Sequence, residues 1–263
     1  FLRGVIDSAD IPLNISRESM QDSSLVRKLN RVVTKRFLKF LDGEAKDNTD
    51  KYREFYAKFG RFLKEGVVVD YEHREGLAKL LRFESSMTDP GTLTGFEDYV
   101  TRAKDGQGKI YYLTGADRAS VEAGPYLEAL KSRGLEVIYL LDTIDEYLLQ
   151  HLREFEGKDL VSAASADLEL EDDDSIVLEG TPLGESEMEG LCVFLKAELG
   201  DRVEKVASGK RLVSSPAAVL TPAHGMNAQM RQMMQAMNPG EPLPPLKVEL
   251  EIRLIAAADS MPA

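Results

Sequence analysis

Lys109-Ile-Tyr-Tyr-Leu-Thr-Gly115 and Leu135-Glu-Val-Ile-Tyr-Leu-Leu141 are two short apolar runs rich in aromatic and branched residues, the composition of buried strands. Between them, Thr114-Gly115-Ala116-Asp117 turns the chain into helical residues, Gly124-Pro125 restarts a helix with proline at a tolerated first position, and Gly134 ends it. Strand, helix and strand in that order make one βαβ crossover, so the reading is α/β. The same order opens nucleotide-binding folds. A single Gly115 lacks the Gly-x-Gly-x-x-Gly by which backbone approaches a pyrophosphate, so a nucleotide-using α/β enzyme centred on Thr114 to Asp117 is kept only as a rival reading.

Upstream, the spacing is helical. Leu25, Leu29, Val32, Val33, Phe37, Phe40 and Leu41 form a 3.6-residue stripe running on from Met20. Tyr52, Phe55, Tyr56, Phe59, Phe62 and Leu63 form a second stripe, read as core, with Gly66 placed as a left-handed C-cap. Leu77, Leu80 and Leu81 mark a third helix, and the three together predict a helical connector. Thr94 and Glu97 have capping-box spacing ahead of a short helix through Tyr99, Val100 and Ala103.

Downstream, Asp145 to Phe155 reads as a helix carrying Glu146, Tyr147 and Gln150 on adjoining turns. Asp167 to Glu189 is acidic and rich in turn residues. Its Glu171-Asp-Asp-Asp174 lacks the alternating ligands and turn glycine of a calcium loop, so a solvated linker is expected. A helix then runs to Leu199, closed by Gly200. Val203 to Val206 pairs with Arg211 to Val213 as strands, and Leu246 to Ile252 reads as a final strand. The expected organisation is mixed α/β in three parts. Residues 1–68 hold an N-terminal loop and helical connector, and 69–170 a small αβα unit. Residues 171–263 form a mixed α/β C-terminal domain behind an acidic linker at about 171–187.

Bulk properties narrow the function. A chain of 263 residues can bury a sizeable core, and a net charge of −12 with acid and base mixed along most helices argues against a nucleic-acid or membrane-surface binder. Cys192, the one cysteine, lies in the apolar run Leu191 to Leu195 and is expected in the core. No apolar run approaches a bilayer's thickness. His73, His151 and His224 are far apart, without metal-ligand or triad spacing, so no metal site is expected.

Two stretches carry chemistry. In Asp7 to Gln21, Pro12 holds the chain open as far as Leu13, which leaves Asn14, Ser16, Arg17 and Gln21 at the mouth of the first helix. Asn14 or Ser16 there can simply cap the helix, with Glu18 complementing its dipole. Alternatively, the free N–H groups and the planar Arg17 fork suit a phosphate. The second stretch is Met226, Met230, Met233, Met234 and Met237, which fall on one helical face between Pro222 and Pro239. Thioethers in that pattern are core, or a surface that accepts many apolar partners.

The string Gly4-Val-Ile-Asp-Ser-Ala-Asp-Ile-Pro-Leu-Asn-Ile-Ser-Arg-Glu18 closely resembles the catalytic-loop signature of the heat shock protein 90 chaperone family, bacterial or organellar type. Further resemblances follow in order at Leu77-Ala-Lys-Leu-Leu-Arg-Phe83, Lys109 to Gly115, Ile144-Asp-Glu146, Glu154-Phe-Glu-Gly157 and Leu199-Gly-Asp-Arg-Val203. The resemblance implies the end of a middle domain and part of a C-terminal domain of an ATP-dependent chaperone. ATP with Mg2+ would be held by a separate N-terminal domain of the same chain, and this fragment alone would bind none. It implies that Arg17 contacts the γ-phosphate as an intramolecular arginine finger, with Asn14 and Gln21 hydrogen-bonding around it.

It also implies that partly folded client protein is held by Met226, Met230, Met233 and Met234. A second client patch would be Glu146, Tyr147 and Gln150, where Tyr147 replaces a tryptophan found in some relatives. A cytoplasmic location is implied, with mitochondrion or plastid as the alternative, as is a homodimer through C-terminal helices. After Ile252 the sequence departs from the family, running straight into Arg253-Leu-Ile-Ala-Ala-Ala-Asp259, which leaves that dimer open. The other competing reading is a non-catalytic scaffold that binds one fixed partner through the methionine face.

Overall fold

In the computed structural model, the described residues are 4–5, 24–166, 168, 170, 181–209, 212–213, 215–220, 248–253 and 255–256. The chain divides into two units, Phe1–Leu81 and Arg82–Ala263.

The first unit is helical. Helix α1 spans Ser24–Asp47, α2 Thr49–Val69 and α3 Arg74–Lys79. Tyr52, Tyr56, Leu63 and Val67 of α2 are buried with Leu77, Leu80 and Leu81, and the Tyr52 hydroxyl donates to the Leu80 carbonyl at 2.5 Å. The aromatic stripe expected as core therefore divides. Tyr52 and Tyr56 lie inside, Phe55 and Phe59 are half-buried, and Phe62 is 53% exposed. On α1 the buried line passes through Leu41 and Ala45, whereas Val32, Val33 and Phe40 face outward, the last 56% exposed. Gly66 does not cap α2, which continues to Val69; its missing Cβ lets Leu77 of α3 approach, since a methyl there would lie 3.1 Å from Leu77 Cδ1.

Among the described residues the second unit holds a five-stranded sheet, a three-stranded sheet and a separate two-stranded pair. The larger is built from β1 (Glu84–Ser85), β2 (Lys109–Thr114), β3 (Val137–Leu140), β4 (Glu154–Phe155) and β5 (Lys158–Ser162), in the order β1-β3-β2-β5-β4. Strand β2 is parallel to both β3 and β5, and β1 and β4 close the edges antiparallel. The expected crossover between β2 and β3 is present, through α5 (Arg118–Glu122), a 3-10 turn at Pro125–Leu127 and α6 (Glu128–Ser132). Asp117 caps α5 by accepting from Ser120 N at 2.7 Å. Tyr111, Leu113, Val137 and Tyr139 pack with Val121, Leu127 and Leu130 of the crossover.

The helix preceding β2 is α4, Phe96–Arg102, and its cap is shifted by one residue from the expected Thr94–Glu97 box. Gly95 is the N-cap and its N–H donates to Asp98 at 3.1 Å, because Thr94 is committed to a bridge with Phe83. The helix expected over Asp145 to Phe155 also stops early. Helix α7 covers Asp145–His151, and Glu154–Phe155 pairs with β5 through a hairpin whose Glu156 and Gly157 have φ of 49° and 74°. Two positive φ values in succession make a primed turn, which glycine tolerates.

Tyr99 of α4 ties that helix to the strands. Its hydroxyl donates to the Glu136 carbonyl at 2.8 Å and accepts from Tyr111 N and Gln107 Nε2, both at 3.0 Å. Burial pushes the Tyr99 phenol up to about 12, and burial also raises that of Tyr139. A folded-state pKa above the unfolded value near 10 gives stability that is complete below pH ~10 and lost as pH rises through ~12. Chemical-denaturation midpoints should therefore hold steady up to about pH 10 and fall between about pH 10 and 12, a decline that Tyr99→Phe should reduce. An equally steep decline in Tyr99→Phe would assign it to other groups.

The smaller sheet follows α8 (Glu185–Leu199), with β6 (Thr181–Pro182), β7 (Lys205–Ser208), β8 (Ala217–Leu220), β9 (Glu249–Ile252) and β10 (Ile255–Ala256). Its order is β7-β9-β8, with β9 parallel to β7 and antiparallel to β8, while β6 and β10 form a separate pair. The expected pairing of 203–206 with 211–213 is not found among the described residues. Strand β7 pairs with β9, Leu212 is buried outside any strand, and Arg211 lies outside the described residues. Residues 171–180 of the expected linker also lie outside them, and its last residues are the first turn of α8, where Gly184 N donates to Glu187 at 3.0 Å. Gly200, with φ 55°, closes α8 as expected.

Candidate functional site

Asn14, Arg17 and Gln21, like Met226, Met230, Met233, Met234 and His224, lie outside the described residues. The candidate residues that can be described are those of α7. Asp145 starts this helix. Its carboxylate accepts from Asp142 N at 3.0 Å while its own N–H donates to Asp142 O at 2.9 Å, so the β3-to-α7 turn is fixed from both sides. Leu148 and Leu152 are buried and anchor the inner face.

Glu146 and Tyr147 are half-buried and Gln150 is exposed, so the structure brings all three to one short helix whose opposite side is committed to the core. His151 Nδ1 donates to the Tyr147 carbonyl at 2.9 Å, which ties off the last turn. A carboxylate, a phenol and an amide so placed offer hydrogen bonds to a partner's polar groups and little apolar area. Sequence reasoning missed Tyr112. Strand alternation turns it away from the Tyr111 and Leu113 side, and its phenol is raised by burial and then by the charge of Glu146.

A concavity elsewhere in the second unit was not foreseen. A groove of about 720 Å³ runs between α8 and β7, lined among others by Met188, Cys192 and Val193 of the helix, Val206 and Ser208 of the strand, and Arg253. Cys192, expected in the core, is half-buried in this wall. The contiguous run Leu191 to Leu195 concealed this, because each helical residue turns about 100° and only part of such a run can face inward. Val193 and Phe194 accordingly point out, 72% and 58% exposed. Among the described residues, no group of three or more His, Cys, Asp or Glu side chains could hold a metal ion, and no helix is long and apolar enough to cross a membrane.

The family described as Hsp90 protein matches residues 1–242. The chaperone protein HtpG of Desulfitobacterium hafniense strain Y51 is 50% identical over 238 residues, covering 90% of this chain and 38% of that protein. HtpG of Desulfotalea psychrophila is 47% identical over 238 residues, again 90% of this chain and 38% of the relative. HtpG of Salmonella typhimurium strain LT2 is 43% identical over 253 residues, 96% of this chain and 40% of the relative. The chain thus spans about two fifths of the length of these relatives.

Proposed function

The chain belongs to the Hsp90 protein family, of the bacterial type, and from that premise we propose that it is the middle and C-terminal portion of an ATP-dependent chaperone for partly folded client proteins. The observation that carries this reading is the family match over residues 1–242, which includes the whole Gly4 to Glu18 string. In this reading ATP, with its Mg2+, supplies the phosphoanhydride whose hydrolysis resets the molecule. Arg17, Asn14 and Gln21 present only hydrogen-bond donors and amide oxygens, a set that fits phosphoryl oxygens. None is a carboxylate of the kind that usually binds Mg2+, so the metal would be held with the nucleotide by the N-terminal domain. Arg17 donates to the charge that develops on the transferred phosphoryl group, and Asn14 and Gln21 orient it.

Clients are held on the thioether face of Met226, Met230, Met233 and Met234, with Glu146, Tyr147 and Gln150 as a polar second contact. Unbranched, polarisable side chains adapt to many apolar shapes, so holding is weak and broad. The relatives are bacterial proteins, which favours the cytoplasm over a mitochondrial or plastid location, and the homodimer is carried over with the family.

The test is binding of the full-length protein to several chemically unrelated unfolded proteins, measured by suppression of their light scattering and by titration. Similar affinities, on the order of micromolar, are expected for all, weakened several-fold when the four methionines become serine. Binding to one partner alone would favour the fixed-partner scaffold.

A further inference from the structure

Residues of the α5–α6 crossover reach a segment of chain far away in sequence. The Glu128 carboxylate, at the first position of α6, accepts from Val213 N at 2.8 Å and from Ser215 N at 3.1 Å through the same oxygen, and from the Ser215 hydroxyl through the other. Nearby, the Tyr126 hydroxyl donates to the Val219 carbonyl of β8 at 2.6 Å. Beneath these bonds lies a small apolar patch in which Leu212, Ala218 and Leu220 pack with Tyr126 and Ala166. On the far side, Arg253 donates to the Leu212 carbonyl at 2.8 Å, so the segment is gripped from both sheets.

We propose that this junction is a conformational latch between the five-stranded and three-stranded sheets, held closed by Glu128 and able to open without unfolding either sheet. Three features support the proposal. The junction is small, a few apolar side chains beside a handful of hydrogen bonds, the kind of intrachain contact across which relative motion is the ordinary expectation. Three of its hydrogen bonds converge on the one Glu128 carboxylate, so these make and break as a unit, unlike a strand ladder that unzips. Neither sheet depends on it for strand pairing, because the β2–β3–β5 and β7–β8–β9 registers are complete on their own sides. The latch also supplies what the sequence between Leu212 and Pro216 lacks, since Val213 and Ser215 belong to no strand and their N–H groups need an acceptor.

The latch does not depend on the chaperone reading, and its test leaves that reading untouched. In an otherwise cysteine-free full-length protein, with Cys192→Ser, spin labels would be placed at the exposed positions Lys131→Cys and Lys205→Cys. Pulsed dipolar spectroscopy then reads the distance between α6 and β7, and amide exchange reads the bonds themselves. Glu128→Met keeps the length of the side chain and removes both acceptor oxygens. It should broaden the distance distribution toward longer values and lower protection at Val213 and Ser215 roughly tenfold or more, while β2 and β3 keep theirs. Tyr126→Phe, which removes one bond, should act in the same direction and less. An unchanged distribution in Glu128→Met overturns the proposal. So does loss of protection in β2 and β3 in both variants, because Glu128 and Tyr126 would then be supports of the fold.

Discussion

Arg17→Ala in the full-length protein is expected to lower the steady-state ATPase rate on the order of 10²-fold while leaving nucleotide affinity almost unchanged. A guanidinium aimed at a transferring phosphoryl group stabilises charge that is present in the transition state and much weaker in the bound substrate, so its loss falls on turnover and not on binding. A hundredfold is about 2.7 kcal/mol of barrier, what one preorganised donor commonly contributes. Arg17→Lys separates charge from geometry. It keeps the cation and loses the planar fork, and should recover only part of the rate. The measurement is a coupled ATPase assay beside a calorimetric titration of the same variants. An unchanged rate at unchanged affinity would reduce Arg17 to a surface residue near a helix cap.

Arg102→Met is expected to destabilise the larger sheet's unit by about 3 kcal/mol, a fall in melting temperature of about 6–12 °C for a unit of this size. The Glu136 side chain is only 5% exposed, and Arg102 meets it with two bonds, Nη2 at 2.8 Å and Nε at 3.0 Å. Ser85 Oγ donates to the same carboxylate at 2.6 Å, and Arg102 also donates to Thr94 at 2.8 Å. The hydrogen bond to Glu136 raises the Arg102 pKa further, so the cation is permanent. Methionine conserves the packing of the stem and removes every one of these donors, leaving a carboxylate in the interior with one hydroxyl partner. The figure is set at the low end of the range for broken buried pairs because the Arg102 side chain is itself 39% exposed and water can follow it in. Differential scanning calorimetry checks it, and Arg102→Met with Glu136→Leu should regain much of the loss, since no uncompensated charge remains. Equal destabilisation by the single and double variants would mean that Arg102 matters for packing and not for its charge.

The crossover that makes the unit α/β was legible because β2 and β3 are continuous apolar runs bounded by glycine and proline, signals that act within a few residues. What failed to read were features set at a distance. Gly66 looked like a helix end, yet its lack of a side chain answers to Leu77, which only the packing of α3 brings near. Phe62 and Phe40 looked like core because helical spacing reports a stripe but not whether another element covers it. Strand β7 was assigned a neighbouring partner, whereas its actual partner, β9, is set by long-range pairing that no local pattern encodes. Of the candidate site, Glu146, Tyr147 and Gln150 were placed on one helix by spacing alone, whereas the burial of Tyr112 required the sheet. Arg17, Asn14 and Gln21 were legible only as a motif, since donors at a helix start serve a cap and a phosphate equally well.

The place of β9 at the centre of its sheet bears on how the chain is made. Strands β7 and β8 are not neighbours in the sheet, and among the described residues each pairs with Glu249–Ile252. During synthesis the five-stranded sheet can close as soon as β5 has left the ribosome, because all its strands lie before Ala163. The second sheet has no such option. Lys205–Ser208 and Ala217–Leu220 emerge before β9, the strand on which both pair among the described residues, so that sheet closes only once Glu249–Ile252 is made. A stall or premature stop in that interval leaves a polypeptide with a finished first half and two bare strand edges, a form that itself needs protection from aggregation.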